Sequence, residues 1–361
     1  MPAAFVLGTR PEIIKLYPVI RQYVARNLPY RIIHTNQHYS PELDAVFFEQ
    51  LGLPKPDVNL DAGSGTQGEQ LGRMLPRLEQ ALATLKPSLV YVQGDTNSVL
   101  AGALMASRAG IPVAHVEAGL RSYDSRMPEE YNRILADNLS ALLFAPTDGA
   151  RRILLGEGFA EERIHVTGNT VVDTLLAIPD LAGRQEWTGG KWNIERGKYI
   201  LVTLHRPENV DRPEVLRPLL SVVGQAAEEL GVPALFPVHP RTRSRIESFG
   251  LAPGDNIRLV EPVGYFGFVQ LERESLLVVT DSGGVQEESC VLGVPCVTVR
   301  RSTERPETVE VGANVVTGPE PEAVLDGVRR MAGRRGGWTN PFGDGRAGER
   351  IVDIVLETMA G

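Results

Sequence analysis

The sequence predicts two doubly wound α/β domains, each a mostly parallel sheet flanked by helices, facing each other across a cleft. Three observations carry this. The chain has 361 residues, more than one hydrophobic core fills at ~150 residues per domain. Short apolar runs alternate throughout with longer amphipathic stretches, the pattern of βα units around a parallel sheet. The alternation also breaks once, over residues 183–197, and then restarts.

In the first half the apolar runs place strands at residues 5–8, 31–35, 89–93, 113–117, 142–145 and 165–167. Helical periodicity falls between them, at residues 11–26, 67–85, 98–109 and 129–140. Pro11 suits a first helical position, where a backbone N–H would have no intrahelical partner. The break contains Trp187-Thr188-Gly189-Gly190-Lys191-Trp192, which has no clean period, so the interdomain connection belongs there or slightly earlier. The second series places strands at 199–204, 234–238, 257–260, 276–280 and 297–299, and a final helix at 347–359 follows an irregular stretch. The expected domains are residues 1–170 and 171–346.

Hydrophobic content of 42% and charged content of 23% are ordinary for a globular protein. A net charge of −8 argues against a nucleic-acid partner but leaves room for a local cationic pocket and an anionic small substrate. Two cysteines, Cys290 and Cys296, are too few for a disulfide framework and read as buried thiols. The amino terminus lacks the charged start and apolar stretch of a signal peptide, and no apolar run approaches the ~20 residues that cross a bilayer. The expectation is a soluble cytoplasmic protein with no membrane partner.

In open parallel sheets, ligands collect beyond the carboxyl ends of the strands. Those ends carry Gly8-Thr9-Arg10-Pro11-Glu12 with Lys15, Gly94-Asp95-Thr96-Asn97, Glu117-Ala118-Gly119-Leu120-Arg121, His205-Arg206-Pro207-Glu208-Asn209 and Asp281-Ser282-Gly283-Gly284. Ser282-Gly283-Gly284 between a buried strand and a helix leaves backbone N–H groups at a positive dipole end, a site for phosphate or diphosphate. Glu288 on that helix would then accept from both ribose hydroxyls. The same residues also read as a tight turn with an acidic first helical turn. Arg10 and Lys15 would neutralise the anion, or are solvated helix-end charges. Asp95, Glu117 and Glu129 suggest a site that moves protons, although Asp95 alone would serve as a helix cap. Glu117 carries the strongest functional signal, because an acid closing an apolar strand needs a partner.

Other patterns are set aside. Gly63-Ser64-Gly65-Thr66-Gln67-Gly68 matches the dinucleotide fingerprint but follows no first buried strand, so it is rejected as an NAD site. His34 and His38 have ligand spacing but fall in a turn, and no zinc-type cluster appears. Asn138-Leu139-Ser140 is a glycosylation sequon without a secretory context. His115 and His165 read as core or partly exposed strand residues, and His239 either lines the cleft or bonds structurally.

Taken together, these segments resemble the non-hydrolysing UDP-N-acetylglucosamine 2-epimerases. The blocks that carry the resemblance also include Pro128-Glu129-Glu130, Gly168-Asn169-Thr170 and Thr303-Glu304-Arg305-Pro306-Glu307, and they run in order through nearly the whole chain. The resemblance implies a glycosyltransferase-B type fold, with residues 347–361 packing back on the first domain. It assigns nucleotide contacts to Arg10, His205, Val263, Phe268, Ser282, Gly283, Gly284, Glu288 and Arg305. It assigns acid/base chemistry to Asp95, Glu117 and Glu129, with Lys15 and His205 also in the catalytic group. The sequence departs from the family pattern at Leu204, Pro207 and Val263, so a contact at Val263 would use its backbone.

By resemblance the protein is a homodimer supplying polysaccharide precursors, with no cofactor. A second, regulatory UDP-sugar would lie near Gln37, His38, Gln67, Glu69 and His239. The expected reaction interconverts UDP-N-acetylglucosamine and UDP-N-acetylmannosamine by elimination and re-addition of UDP. The rivals are a sugar transferase, a catalytically silent nucleotide-sugar sensor, and an epimerase for a diacetamido uronic acid.

Overall fold

Both halves of the chain fold around parallel sheets, as the alternation of apolar runs predicts. The computed structural model describes residues 2–37, 47–182 and 186–360. It divides into one unit of Met1–Leu181 with Phe342–Gly361 and a second of Ala182–Pro341.

The first unit holds β1 (Ala3–Leu7), β2 (Tyr30–His34), β3 (Val58–Asn59), β4 (Leu89–Gln93), β5 (Val113–Val116), β6 (Leu142–Ala145) and β7 (Ile164–Val166). Their order across the sheet is β3-β2-β1-β4-β5-β6-β7. Strands β1, β4 and β5 are buried along their whole length, which is why they read as unbroken apolar runs. Helices α1 (Arg10–Ala25), α2 (Gln67–Leu85), α3 (Asn97–Arg108), α4 (Pro128–Leu139), α5 (Asp148–Gly156) and α6 (Thr170–Ala182) connect or follow them. Helix α1 begins at Arg10, which makes Pro11 its second residue and not its first.

The second unit holds β8 (Ile200–Thr203), β9 (Ala234–Pro237), β10 (Ile257–Val260), β11 (Leu277–Thr280), β12 (Cys296–Thr298) and β13 (Asn314–Val316), ordered β10-β9-β8-β11-β12-β13. Its helices are α7 (Pro207–Val210), α8 (Pro213–Leu230), α9 (Pro240–Ser248), α10 (Tyr265–Arg273), α11 (Gly283–Leu292), α12 (Pro306–Glu310) and α13 (Pro321–Met331). Cys290 and Cys296 are buried free thiols.

Helix α6 goes with the first unit, so the division falls after Leu181 rather than at residue 170. The reason is a contact: Thr174 Oγ1 donates to Ile14 O of α1 at 2.8 Å. The last helix, α14 (Ala347–Ala360), also belongs to the first unit. Asp173 of α6 accepts from the N–H groups of Ala347 and Gly348, at 3.2 and 2.8 Å. Gly348 lies so close to Pro18 that a Cβ would sit 2.8 Å from its backbone.

In each sheet the first strand in sequence has neighbours that run off in opposite directions, β2 and β4 around β1 and β9 and β11 around β8. Such a reversal opens a crevice outside the carboxyl ends, where ligands of this architecture bind. The crevice of the first unit is lined by the turns after β1 and β4, and that of the second by the turns after β8 and β11.

Candidate active site

At the crevice of the first unit, Glu117 immediately follows β5. The sequence expectation made it the last residue of the strand, yet its φ is +69°, in the left-handed region that non-glycine residues rarely occupy. Strain of this kind persists where surrounding contacts hold it. Lys15 Nζ lies 2.5 Å from Glu117 Oε2, and Gln93 Nε2 donates to the same oxygen. Both carboxylate and lysine are mostly buried, with side chains 5% and 13% exposed. The β4–β5 register pairs Gln93 with Val116, which sets the turns bearing Asp95 and Glu117 side by side.

Asp95 accepts from Arg133 Nη2 at 2.5 Å, and its carbonyl accepts from Asn132 Nδ2 at 2.9 Å. Arg133 also donates to Glu130 at 2.8 Å, so α4 holds the Asp95 turn by its first two helical turns. Glu129 is half-buried in the first turn of α4. The structural anchor beside it is Glu130, which accepts from the backbone N–H groups of Ser122 and Tyr123, each at 2.9 Å. Burial alone would raise the Glu130 pKa, but those donors and Arg133 bring it below the ordinary carboxylate value.

Glu12 has a role that the sequence motif did not assign. Its carboxyl accepts from Gly8 N, from Thr9 N at 2.9 Å and from Thr96 Oγ1, tying the β1 and β4 turns together. Gly8 is required there because a Cβ would collide with Thr35 and Ser98. Burial pushes Glu12 up to about 7, against the hydrogen bonds from Thr96, Gly8 and Thr9, and the charge of Asp95 adds to the rise. The stability tied to a neutral Glu12 is therefore full below pH 4.5 and lost as pH rises to about 7. Glu12→Gln is expected to flatten that fall in the unfolding free energy from urea titrations, by on the order of 3 kcal/mol. A free-energy profile identical to that of the unmodified protein counts against this role.

In the second unit Asp281 follows β11 and is fully buried. It accepts from His205 N at 3.1 Å, Arg206 N at 3.0 Å and Asn209 Nδ2 at 3.0 Å, and His205 Nδ1 lies 3.2 Å from it. Burial opposes its charge, but His205, Asn209 and the Arg206 amide hold its pKa below the usual carboxylate value. Ser282 occupies the N-cap position of α11 without a side-chain capping bond, and Gly283 faces Glu304, whose Oε1 a Cβ there would meet at 2.7 Å. Glu304 in turn pairs with Arg300 at 2.5 Å. Tyr265 OH donates to Glu288 at 3.0 Å, and Arg305 Nε donates to Glu287 at 3.4 Å. Val263 and Phe268 lie half-buried against the core beside β8.

The residues expected by sequence thus fall into two groups, one in each unit. Arg10 is exposed at the start of α1, with its guanidinium 5.6 Å from the Phe47 ring. Of the regulatory candidates, His38 lies outside the described residues. Gln37 accepts from Ser98 Oγ at 2.8 Å, Gln67 and Glu69 are exposed at the start of α2, and Glu69 accepts from Thr66 N at 2.8 Å. The glycine-rich decoy is therefore the capped entry to α2. His239 caps α9 through Arg241 N, and its ring lies 6.4 Å from that of His205. His115 is more than a core residue, because both its ring nitrogens have partners on other segments. Among the described residues no three His, Cys, Asp or Glu side chains form a metal site, and no helix is long and apolar enough to cross a membrane.

Two parallel-sheet units, each with its polar turns at the strand-order reversal, define an enzyme of the glycosyltransferase-B-like fold. The profile of the UDP-N-acetylglucosamine 2-epimerase family matches residues 22–356. The chain belongs to that family. It is 50% identical to UDP-N-acetylglucosamine 2-epimerase of Methanocaldococcus jannaschii, over 98% of this chain and 99% of that one. The crystal structure of the M. jannaschii enzyme with UDP-GlcNAc and UDP superposes with a TM-score of 0.89, at 50% identity over 99% of this chain and 100% of that one. A Pseudomonas aeruginosa UDP-2,3-diacetamido-2,3-dideoxy-D-glucuronate 2-epimerase is 40% identical over 98% of each chain.

Proposed function

We propose that this protein interconverts UDP-N-acetylglucosamine and UDP-N-acetylmannosamine by inverting carbon 2 of the sugar. The observation that carries this reading is Glu117, held in a left-handed turn between Lys15 and Gln93 at the crevice of the first sheet. Family membership and the 50% identity to an enzyme of that name support it and favour it over a transferase or a silent sensor.

Carbon 2 bears no carbonyl, so its hydrogen is not acidic in the ground state. Departure of UDP from carbon 1 changes that, because positive charge developing at carbon 1 acidifies the neighbouring C–H. A carboxylate takes the carbon-2 proton, the C–H pair forms the C1–C2 double bond, and the C1–O pair leaves with the diphosphate. The glycal is then protonated at carbon 2 from the opposite face while a UDP oxygen re-adds at carbon 1. Nothing is oxidised or reduced overall, so the route needs no redox cofactor.

In this reading two of Asp95, Glu117 and Glu129 are the opposed proton carriers, with Lys15 beside Glu117. Arg10, His205 and the Ser282–Gly283–Gly284 helix end stabilise charge on the leaving diphosphate. Glu288 holds the ribose, Arg305 the phosphates, and Val263 and Phe268 the base. The same proposal has the enzyme act in the cytoplasm as a homodimer. The 40% identity to a diacetamido-uronate epimerase keeps a second sugar in view, but Gly8-Thr9-Arg10-Pro11-Glu12 favours the simpler one.

The test is incubation with UDP-N-acetylglucosamine in heavy water, followed at carbon 2 by NMR. UDP-N-acetylmannosamine carrying deuterium at that carbon is the expected product. Unlabelled, unchanged substrate would remove this activity, and turnover of the diacetamido uronate alone would reassign the sugar.

A further inference from the structure

His115 lies in β5, two residues before Glu117, and is fully buried. Its Nδ1 lies 2.7 Å from Asp137 Oδ1, and its Nε2 lies 2.8 Å from the Gly94 carbonyl oxygen. A carbonyl oxygen has no proton to give, so Nε2 carries a hydrogen. The second oxygen of Asp137 lies 2.7 Å from Arg121 Nη2 and accepts from Gly119 N at 3.2 Å. A carboxylate held in this way is ionised and only accepts, so Nδ1 carries a hydrogen as well. A ring protonated at both nitrogens is an imidazolium.

Burial alone would make that ring neutral. Asp137, the Gly94 carbonyl and Glu117 outweigh burial and raise its pKa above the ordinary histidine value. Asp137 is held ionised in turn: burial opposes its charge, while His115 and Arg121 lower its pKa. The charged groups facing the ring are Asp137 on α4, Arg121 beyond it, and Glu117 on its own segment. A buried ion pair of this kind contributes little net stability compared with apolar packing, so its value lies in what it positions. Gly94, with φ +82°, immediately precedes Asp95. Asp137 stands one helical turn after Arg133, the residue that grips the Asp95 carboxylate. Helix α4 thus holds the Asp95 turn directly, through Asn132 and Arg133, and indirectly, through Asp137 and the ring.

We propose that His115 is a positioning residue kept protonated at neutral pH. It pins the Gly94–Asp95 turn to β5 and α4 and sets a fixed positive charge next to the carboxylates that exchange the proton. This rests on the proposal that proton exchange belongs to carboxylates among Asp95, Glu117 and Glu129.

The test has two arms. Histidine-selective 15N NMR of the unmodified protein reads the ring directly, with the His115 signals identified by their loss in His115→Gln. Both nitrogens should stay protonated between about pH 6 and 8. A neutral tautomer anywhere in that interval overturns the proposal, whether or not the protein turns over any sugar. In the second arm, His115→Gln keeps a donor towards Gly94 but loses the charge. It should lower kcat on the order of 100-fold with KM little changed, and shift the acid limb of the kcat profile to higher pH. A merely structural role would lower thermal stability and leave that limb in place, which also overturns the proposal. If the unmodified enzyme fails to exchange the carbon-2 proton while its ring is an imidazolium, the functional reading fails and the protonation state stands.

Discussion

Glu117→Gln is expected to lower kcat roughly 100- to 10,000-fold while leaving UDP affinity close to that of the unmodified enzyme. The change removes one proton-accepting oxygen and the negative charge that faces Lys15, while keeping the shape of the side chain. Lys15 and Gln93 both donate to the same carboxylate oxygen, and the amide oxygen of glutamine can take that place. The turn should therefore survive with its φ of +69° intact. The loss should fall on kcat rather than KM, because the proton moves only as the carbon–phosphate-oxygen bond breaks. Isothermal titration with UDP and steady-state rates with the sugar nucleotide separate the two. Wild-type turnover would take Glu117 out of the acid/base set and leave Asp95 and Glu129 to account for inversion.

The contrast between Glu117 and its neighbours shows what the sequence discloses. An acid closing Val113-Ala114-His115-Val116 is visible without a structure, because a carboxylate ending a buried strand demands a partner. The partner is not visible: Lys15 lies 102 positions earlier and meets Glu117 only because β1 and β5 flank β4. The left-handed backbone at Glu117 is equally hidden, since no glycine marks it. The long buried strands were legible for a related reason, as complete burial makes each an apolar run. Strands β3 and β13 were not, and neither is buried along its whole length: β3 is two residues long and β13 has a single buried residue.

Helix α4 illustrates the limit from the other side. Its start at Pro128 and the acids after it are plain in the sequence, but the sharing of labour among them is not. Glu130 anchors the preceding loop, Arg133 grips Asp95, and Asp137 holds His115. These are ordinary helix-face charges until the fold sets β4 and β5 beneath them. Glu12 is similar: the sequence shows it only as the last residue of Gly8-Thr9-Arg10-Pro11-Glu12, whereas its burial between two strand-end turns follows from the strand order.

Asp281 lacked an assigned role although it carries the same signal as Glu117, an acid closing the buried run Leu277–Thr280. Replacing it by alanine is expected to destabilise the second unit strongly. The amides of His205 and Arg206 and the side chain of Asn209 would lose one shared acceptor, and the deep site offers water little access. Removing one partner from such a buried charged network costs about 3–5 kcal/mol, a large part of the stability of a typical domain. The urea midpoint of the second unit should fall accordingly, and UDP affinity should fall with it, because the backbone and ring of His205 are held by that carboxylate. Asp281→Asn keeps one acceptor and should lose less on both counts. The pH dependence has a definite sign. A carboxyl with its folded pKa below 3.8 contributes stability that is present above that value and lost as pH falls through the folded pKa. The Asp281→Asn protein should lack that acid-side loss. An Asp281→Ala protein with unchanged midpoint and unchanged UDP affinity would show that the His205–Asn209 turn is held by backbone and packing alone, and would remove the carboxylate from any part in shaping the nucleotide site.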